Sequence, residues 1–260
     1  VGVLAATTAA CFPDYQLATS GTDSGPRPDG AGEIDGGPTV EAGAEGGDGG
    51  ASSTAVTYVG SGQNFVNEAS NGHKTVTVTL DGQPMAGDVL LAVVWCNDPG
   101  STMTGPSGWS ARGTQASPTG SNMWWYSRVA VAGEPASVSL ACDGTDEIYA
   151  GVAFYRGAQG ENPVDAEYGP ALCGSSGECD AQSIVTTHAG DRLVMLYALD
   201  GSDGTYSWTQ PQGATKRVDL GEVAIADAPV TTVGATGTQV AMHTNDSEYA
   251  GVDFVALAAQ

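Results

Sequence analysis

The 260-residue sequence predicts an all-β fold: a β-sandwich or jelly-roll-like domain, internally duplicated into two pseudo-equivalent halves. Three observations predict it. From Thr54 onward, β-branched and aromatic runs alternate with Gly, Pro, Asn and Asp clusters, and no long stretch carries a helical period. Several of these runs are short and almost continuously apolar, as buried strands are. The hexamers YAGVAF (149–154) and YAGVDF (249–254) recur at matched places along the chain.

The elements follow in chain order. VGVLAATTAAC (1–11) reads as the tail of an apolar signal segment, with small residues before Cys11. TTAAC is similar to a lipoprotein processing box, with Thr8 where Leu is usual. The expectation is an exported lipoprotein of the outer membrane or cell surface, lipidated at Cys11. An ordinary cleaved signal and a secreted product are the alternative. Residues 12–53 are Gly, Ala, Pro and acid, with too few large apolar side chains to offset the entropy of ordering, and are expected to be a disordered tether. No other stretch is long and apolar enough to span a bilayer.

Residues 54–260 are expected to be the folded domain, with a first half 54–158, a connector 159–181 and a second half 182–260. KTVTVTL (74–80) alternates like a strand with one wet face, whereas DVLLAVVWC (88–96), GVAFY (151–155) and RLVMLYAL (192–199) read as strands buried on both faces. AGDVLLAVVWC matches AGDRLVMLYAL, and PSGWSAR (106–112) matches PQGATKR (211–217). MWWYSRV (123–129) falls opposite VAIADAP (223–229), and SVSLAC (137–142) opposite GTQVAM (237–242), in a register that needs no gap from 123 to 154. Either each copy closes its own small sandwich or the two form one larger one; a single unit of all of 54–260 is expected. The Gly of YAGV is expected to let backbone or a large side chain approach closely.

AGDVLLAVV, PSGW, EPASVSL, AFYRGA, NPVDA, AGDRLVM and VGATGTQVAM together resemble a duplicated β-sandwich module of surface lipoproteins from large-genome Gram-negative bacteria, and of some phage-tail-like proteins. CFPDY after the processing box is similar to the start of such lipoproteins. The resemblance covers 54–260 and implies the fold. That family has no agreed activity, so no catalytic residue is carried over.

Charge and cysteines narrow the function. A net charge of −22, with 8 Lys and Arg against 30 Asp and Glu, argues against nucleic acid and against electrostatic docking on anionic lipid. With Cys11 assigned to lipid, four cysteines remain for an oxidising compartment. Cys96 and Cys142 end two strands of the first half, and their counterparts Leu199 and Met242 are apolar, so Cys96–Cys142 is expected as one disulfide. Cys173–Cys179 closes a short loop as the other.

The chemistry tested is mostly refused. There is no G-x-S-x-G elbow, and His73, His188 and His243 are far apart and read as solvated or capping side chains. CGSSGEC has neither a second pair nor a nearby His for zinc. No cofactor is expected beyond a candidate structural Ca²⁺ at recurring acidic turns, with Asp98, Asp143, Asp146, Asp200, Asp203 and Asp246 as ligands; the bland reading is that Asp and Asn initiate turns. Trp124, Trp125 and Tyr126 form an aromatic cluster that the second half lacks. The two Trp must point to opposite faces of a strand, one into the core and one outward.

Three functions are compatible with these residues. One is a non-catalytic surface binding or adhesion module, for an extracellular glycan or a surface protein. Another is a structural spacer lipoprotein. The third is an extracellular hydrolase, for which no catalytic constellation is recognisable.

Overall fold

The computed structural model describes residues 54–260, apart from 119, 175, 202–205 and 245–248 and the side chains of 68–71 and Asp146. Cys11, the 12–53 segment, Asp203 and Asp246 lie outside the described residues. The first half supplies β1 (Thr57–Thr79), β2 (Val89–Cys96), β3 (Thr102–Thr104), β4 (Ser110–Ala116), β5 (Asn122–Val129) and β6 (Ser137–Arg156). The second begins with β7 (Val164–Gly174), β8 (Glu178–Ala181), β9 (Val185–Thr186), β10 (Arg192–Leu199) and β11 (Trp208–Thr209). It continues with β12 (Thr215–Leu220), β13 (Val223–Pro229), β14 (Gly234–Ala235), β15 (Gln239–His243) and β16 (Ala250–Leu257). Among the described residues there is no helix, and from Thr54 to Gln260 they form one compact unit.

Two antiparallel five-strand paths dominate, ordered β1-β6-β2-β5-β4 and β7-β16-β10-β13-β12. Strand for strand, the order is the same. The sheets lie face to face, with edge β12 against β1 and edge β4 against β7. Val89, Leu91, Val93, Trp95 and Trp125 from one sheet share a core with Val194, Leu196, Ile225, Val255 and Leu257 from the other. This is why β2 and β10 read as unbroken apolar runs: each is covered on both sides.

Gly251 is where the core closes. A Cβ there would lie 3.0 Å from Met123 Sδ and 3.1 Å from Trp125 Cη2. Gly151 gives the same room to Val218, whose Cγ1 would sit 2.7 Å from a Cβ. The Gly of each YAGV hexamer thus admits a side chain of the facing sheet, as the sequence suggested. The fully buried Trp125 also donates its indole N–H to Leu196 O of the other sheet at 3.1 Å.

Polar contacts seal the edges. Gln63 exchanges two hydrogen bonds with the Asp219 backbone, at 3.2 and 3.0 Å, and Ser61 Oγ donates to Arg217 O at 3.1 Å. On the opposite edge Arg112 of β4 pairs with buried Asp253 of β16 and with Glu167 of β7 at 2.8 Å. Burial raises the Asp253 carboxyl above its ordinary range in spite of Arg112.

Each half also closes a core of its own. β1 and β6 pair along their whole length with a register break between Asn67 and Gly72. Their far ends, with β3, lay Val76, Val78, Leu140 and Cys142 over Leu90, Ala92 and Val94 on the outer face of β2. In the second half β8, β15 and β11 form the matching small sheet, and Cys179, Ala181, Trp208 and Ala241 cover Met195, Tyr197, Val252 and Phe254. Both arrangements left open by the sequence therefore coexist: each half is a two-layer sandwich, and the large sheets pack together into one unit.

Three expectations are corrected. Residues 159–181 are more than a connector, because they contain β7, the edge strand paired with β16, and β8. What β1 does in one bent strand, β7 and β8 do in two, and Cys173–Cys179 joins them where the strand is interrupted. The hexamers sit two residues out of step: β2 pairs Val89 with Tyr155, whereas β10 pairs Arg192 with Leu257, two beyond Val255. An even shift keeps side chains on their faces, so Phe154 and Phe254 both point outward. Finally, Met242 is 45 % exposed while Ala241 and His243 are buried, so the gapless register fails at Cys142. The cause is that β15 and β16 are separate strands where β6 is continuous. Cys96–Cys142 and Cys173–Cys179 are the disulfides present, with Cα–Cα distances of 6.6 and 4.8 Å.

Trp125→Ala removes the ring over Gly251 and should cost about 3–5 kcal/mol in urea unfolding. Arg112→Met strands a buried carboxylate and should also cost about 3–5 kcal/mol at pH 7. Because the folded Asp253 pKa is already raised and would rise further, this loss should shrink as pH falls through that value toward the ordinary carboxylate range. Melts at pH 7 and pH 4 check it.

Candidate functional site

On β5 the side chains divide as a strand requires. Met123 and Trp125 enter the central core, while Trp124, Tyr126 and Arg128 lie on the other face. Trp124 is half-buried there. Tyr126 is not an exposed platform: it is 4 % exposed, because the chain leading from β3 crosses it at Gly105, where a Cβ would be 2.8 Å from Tyr126 Cε1. Burial pushes its hydroxyl pKa up.

Beyond Tyr126 the row ends in an ion pair. Arg128 Nε lies 2.7 Å from Glu134 Oε1, and its Nη1 donates to Ser107 O at 2.9 Å. Glu134 Oε2 in turn accepts Val131 N–H at 3.1 Å, which fixes the turn between β5 and β6. An open groove of about 220 Å³ follows, lined by Pro106, Trp109, Arg128, Glu134, Ser137 and Ser139. A flat indole wall, three serines (Ser107, Ser137 and Ser139) and an immobilised charged pair are the groove's means of contact: a ring face to stack on and polar edges to hydrogen-bond. Trp109 was not singled out by the sequence reading, although the signal was there: PSGW faces PQGA, so this aromatic is also confined to the first half.

The acidic turns behave mainly as turns. Asp98 has φ +75°, its amide donates to Asn97 Oδ1 at 2.9 Å, and its carbonyl accepts Ser101 N–H and Oγ–H at 3.3 and 3.0 Å. Asp143 pairs with His73 at 2.5 Å on the surface. Asp200 is buried and accepts a hydrogen bond from Ser117 of the other half. Asp203, Asp246 and the Asp146 side chain lie outside the described residues. Among the described residues the structure brings none of these acids into a group of three metal-ligating side chains. It brings together Asp165, His188 and Asp191 instead.

The histidines are as separate as their spacing suggested. His73 contacts Asp143 and Thr75 Oγ1, the latter at 3.2 Å. His243 is not the solvated or capping side chain expected from the sequence: it is buried against the Trp208 ring, with centroids 5.2 Å apart. His188 Nδ1 is 3.0 Å from Thr187 Oγ1, but that hydroxyl donates to Asp165 Oδ1 at 2.5 Å, so its proton is directed away from the imidazole. No protein-family model matches this chain, and no curated protein or solved structure matches it significantly.

Proposed function

We propose that residues 54–260 are a non-catalytic binding or adhesion module of an exported lipoprotein, tethered by 12–53 to a lipid on Cys11 and recognising an extracellular glycan. The observation that carries this reading is the groove walled by Trp109 at the end of the outer β5 face. It lies on the half that departs from the common pattern, where Trp109 and Trp124 stand opposite Ala214 and Ala224. The two disulfides suit an oxidising compartment. A stacked ring contributes about 0.5–1.5 kcal/mol beyond burial, so a single site binds weakly and display of many copies on a membrane strengthens it.

One observation favours the spacer reading instead. Arg128 and Glu134 are committed to each other, and Tyr126 is covered, so much of the groove's polarity already serves the fold.

An array of glycans and cell-wall polymers separates the two. Trp109→Ala should abolish retention on whichever polymer the wild type binds in a domain that still folds, with its melting temperature lowered only by the packing the ring makes against the outer core. Trp124→Ala should weaken retention, and Trp125→Ala should destabilise the domain. A wild type that binds no polymer supports the spacer reading.

A further inference from the structure

Asp88 and Asp191 occupy the same place in the two halves. Each immediately precedes a central strand, and each carbonyl accepts an amide from the residue after the neighbouring strand: Ala130 at 2.8 Å and Val230 at 2.9 Å. Both are buried, at 1 % and 0 % exposure. A buried carboxylate needs opposite charge or several donors to remain an anion. Asp88 has both, since Arg156 donates Nε–H and Nη2–H at 2.8 and 2.7 Å and Met85 N–H adds a bond at 2.8 Å.

Asp191 has no such arginine. The counterpart of Arg156 is Ala256 by the hexamer alignment, or Ala258 by strand register, and neither carries charge. Asp191 Oδ1 accepts Ala259 N–H at 2.8 Å, while Oδ2 is buried with no hydrogen-bond partner. Where the guanidinium would be needed there is a second carboxylate, Asp165 at the start of β7, and the His188 ring. His188 Nδ1 lies 3.4 Å from Asp165 Oδ1 and 4.0 Å from Asp191 Oδ1.

We propose that Asp165, His188 and Asp191 bind one divalent first-row transition cation, and that this ion does for the second half what Arg156 does for the first. The distances suit it. Ligands about 2.0–2.1 Å from a tetrahedral ion are about 3.3–3.5 Å from one another. The Asp165–His188 separation already has this value, Asp191 Oδ1 stands 4.0 Å from the same ring nitrogen, and all three ligand atoms lie within 4.8 Å of one another. One nitrogen and two carboxylates fit Zn²⁺ better than Ca²⁺, which takes six to eight oxygens. Thr187 N–H and Oγ–H orient Asp165, at 2.6 and 2.5 Å, as outer-shell donors orient ligating carboxylates. His188 is 44 % exposed and opens the site to solvent. The bound ion would hold together the start of β7, the segment entering β10 and, through Asp191 Oδ1, Ala259 just after β16.

The test uses the full chain after EDTA treatment and dialysis. Titration with Zn²⁺ should show a site of one ion per chain and raise the melting temperature. His188→Ala changes a half-exposed side chain and should fold normally, yet weaken that site about tenfold or more, as should Asp165→Asn. His73→Ala should leave it intact, and Ca²⁺ should not compete. No stoichiometric Zn²⁺ binding, a site untouched by His188→Ala, or Ca²⁺ bound equally well without His188 would each overturn the proposal.

Discussion

The contact of Trp125 with Gly251 sets how closely the two large sheets approach, and the rest of the structure depends on that spacing. A side chain at 251 would press on Met123 and Trp125 of β5, and a smaller residue at 125 would leave a void over Gly251. With the ring seated, Val218 reaches Gly151 on the other side of the core, and the edges come within hydrogen-bond range at Gln63–Asp219 and Arg112–Asp253. Central strands covered on both faces have no polar alternation, and this is what makes them so apolar.

Positive charge is the scarce resource. Each of the five arginines among the described residues, Arg112, Arg128, Arg156, Arg192 and Arg217, pairs with a buried carboxylate. Arg217 additionally lies 4.0 Å above the Tyr58 ring, at the edge where β1 meets β12. Such pairs add less net stability than their number suggests, because desolvation offsets the attraction, but losing either partner is costly. A strongly acidic chain that pairs its arginines with buried carboxylates leaves a surface dominated by negative charge. The same scarcity makes Asp191 unusual: its structural counterpart holds an arginine and it does not.

Much of this was legible in the residues. Continuous apolar runs announced β2 and β10, alternation in KTVTVTL announced the covered inner face of the far end of β1, and adjacent Trp residues had to divide between faces. Other features were hidden for physical reasons. Nothing local in NFVNEASNGHKT says that one strand bends back over its own sheet, since the bend is imposed by the outer face of β2 that needs covering. The slip at Met242 goes with β15 pairing in a small sheet apart from β16, which apolar matching cannot see. Trp109 was visible as an aromatic opposite alanine, but its role as a groove wall depends on where Arg128 and Glu134 fold. Asp165 and His188 are 23 residues apart and meet Asp191 only through the pairing of β7 with β16.

Native-state hydrogen exchange on 54–260, read strand by strand, tests most directly whether the two sheets are one cooperative unit closed by Trp125. The account predicts that amides of β2, β5, β10 and β16 exchange with one common free energy, equal to that of global unfolding, and that Trp125→Ala lowers all of them together. Exchange of β10 and β16 at a distinctly lower free energy than β2 and β5, or a Trp125→Ala effect confined to the first sheet, would show two independent sandwiches and contradict it.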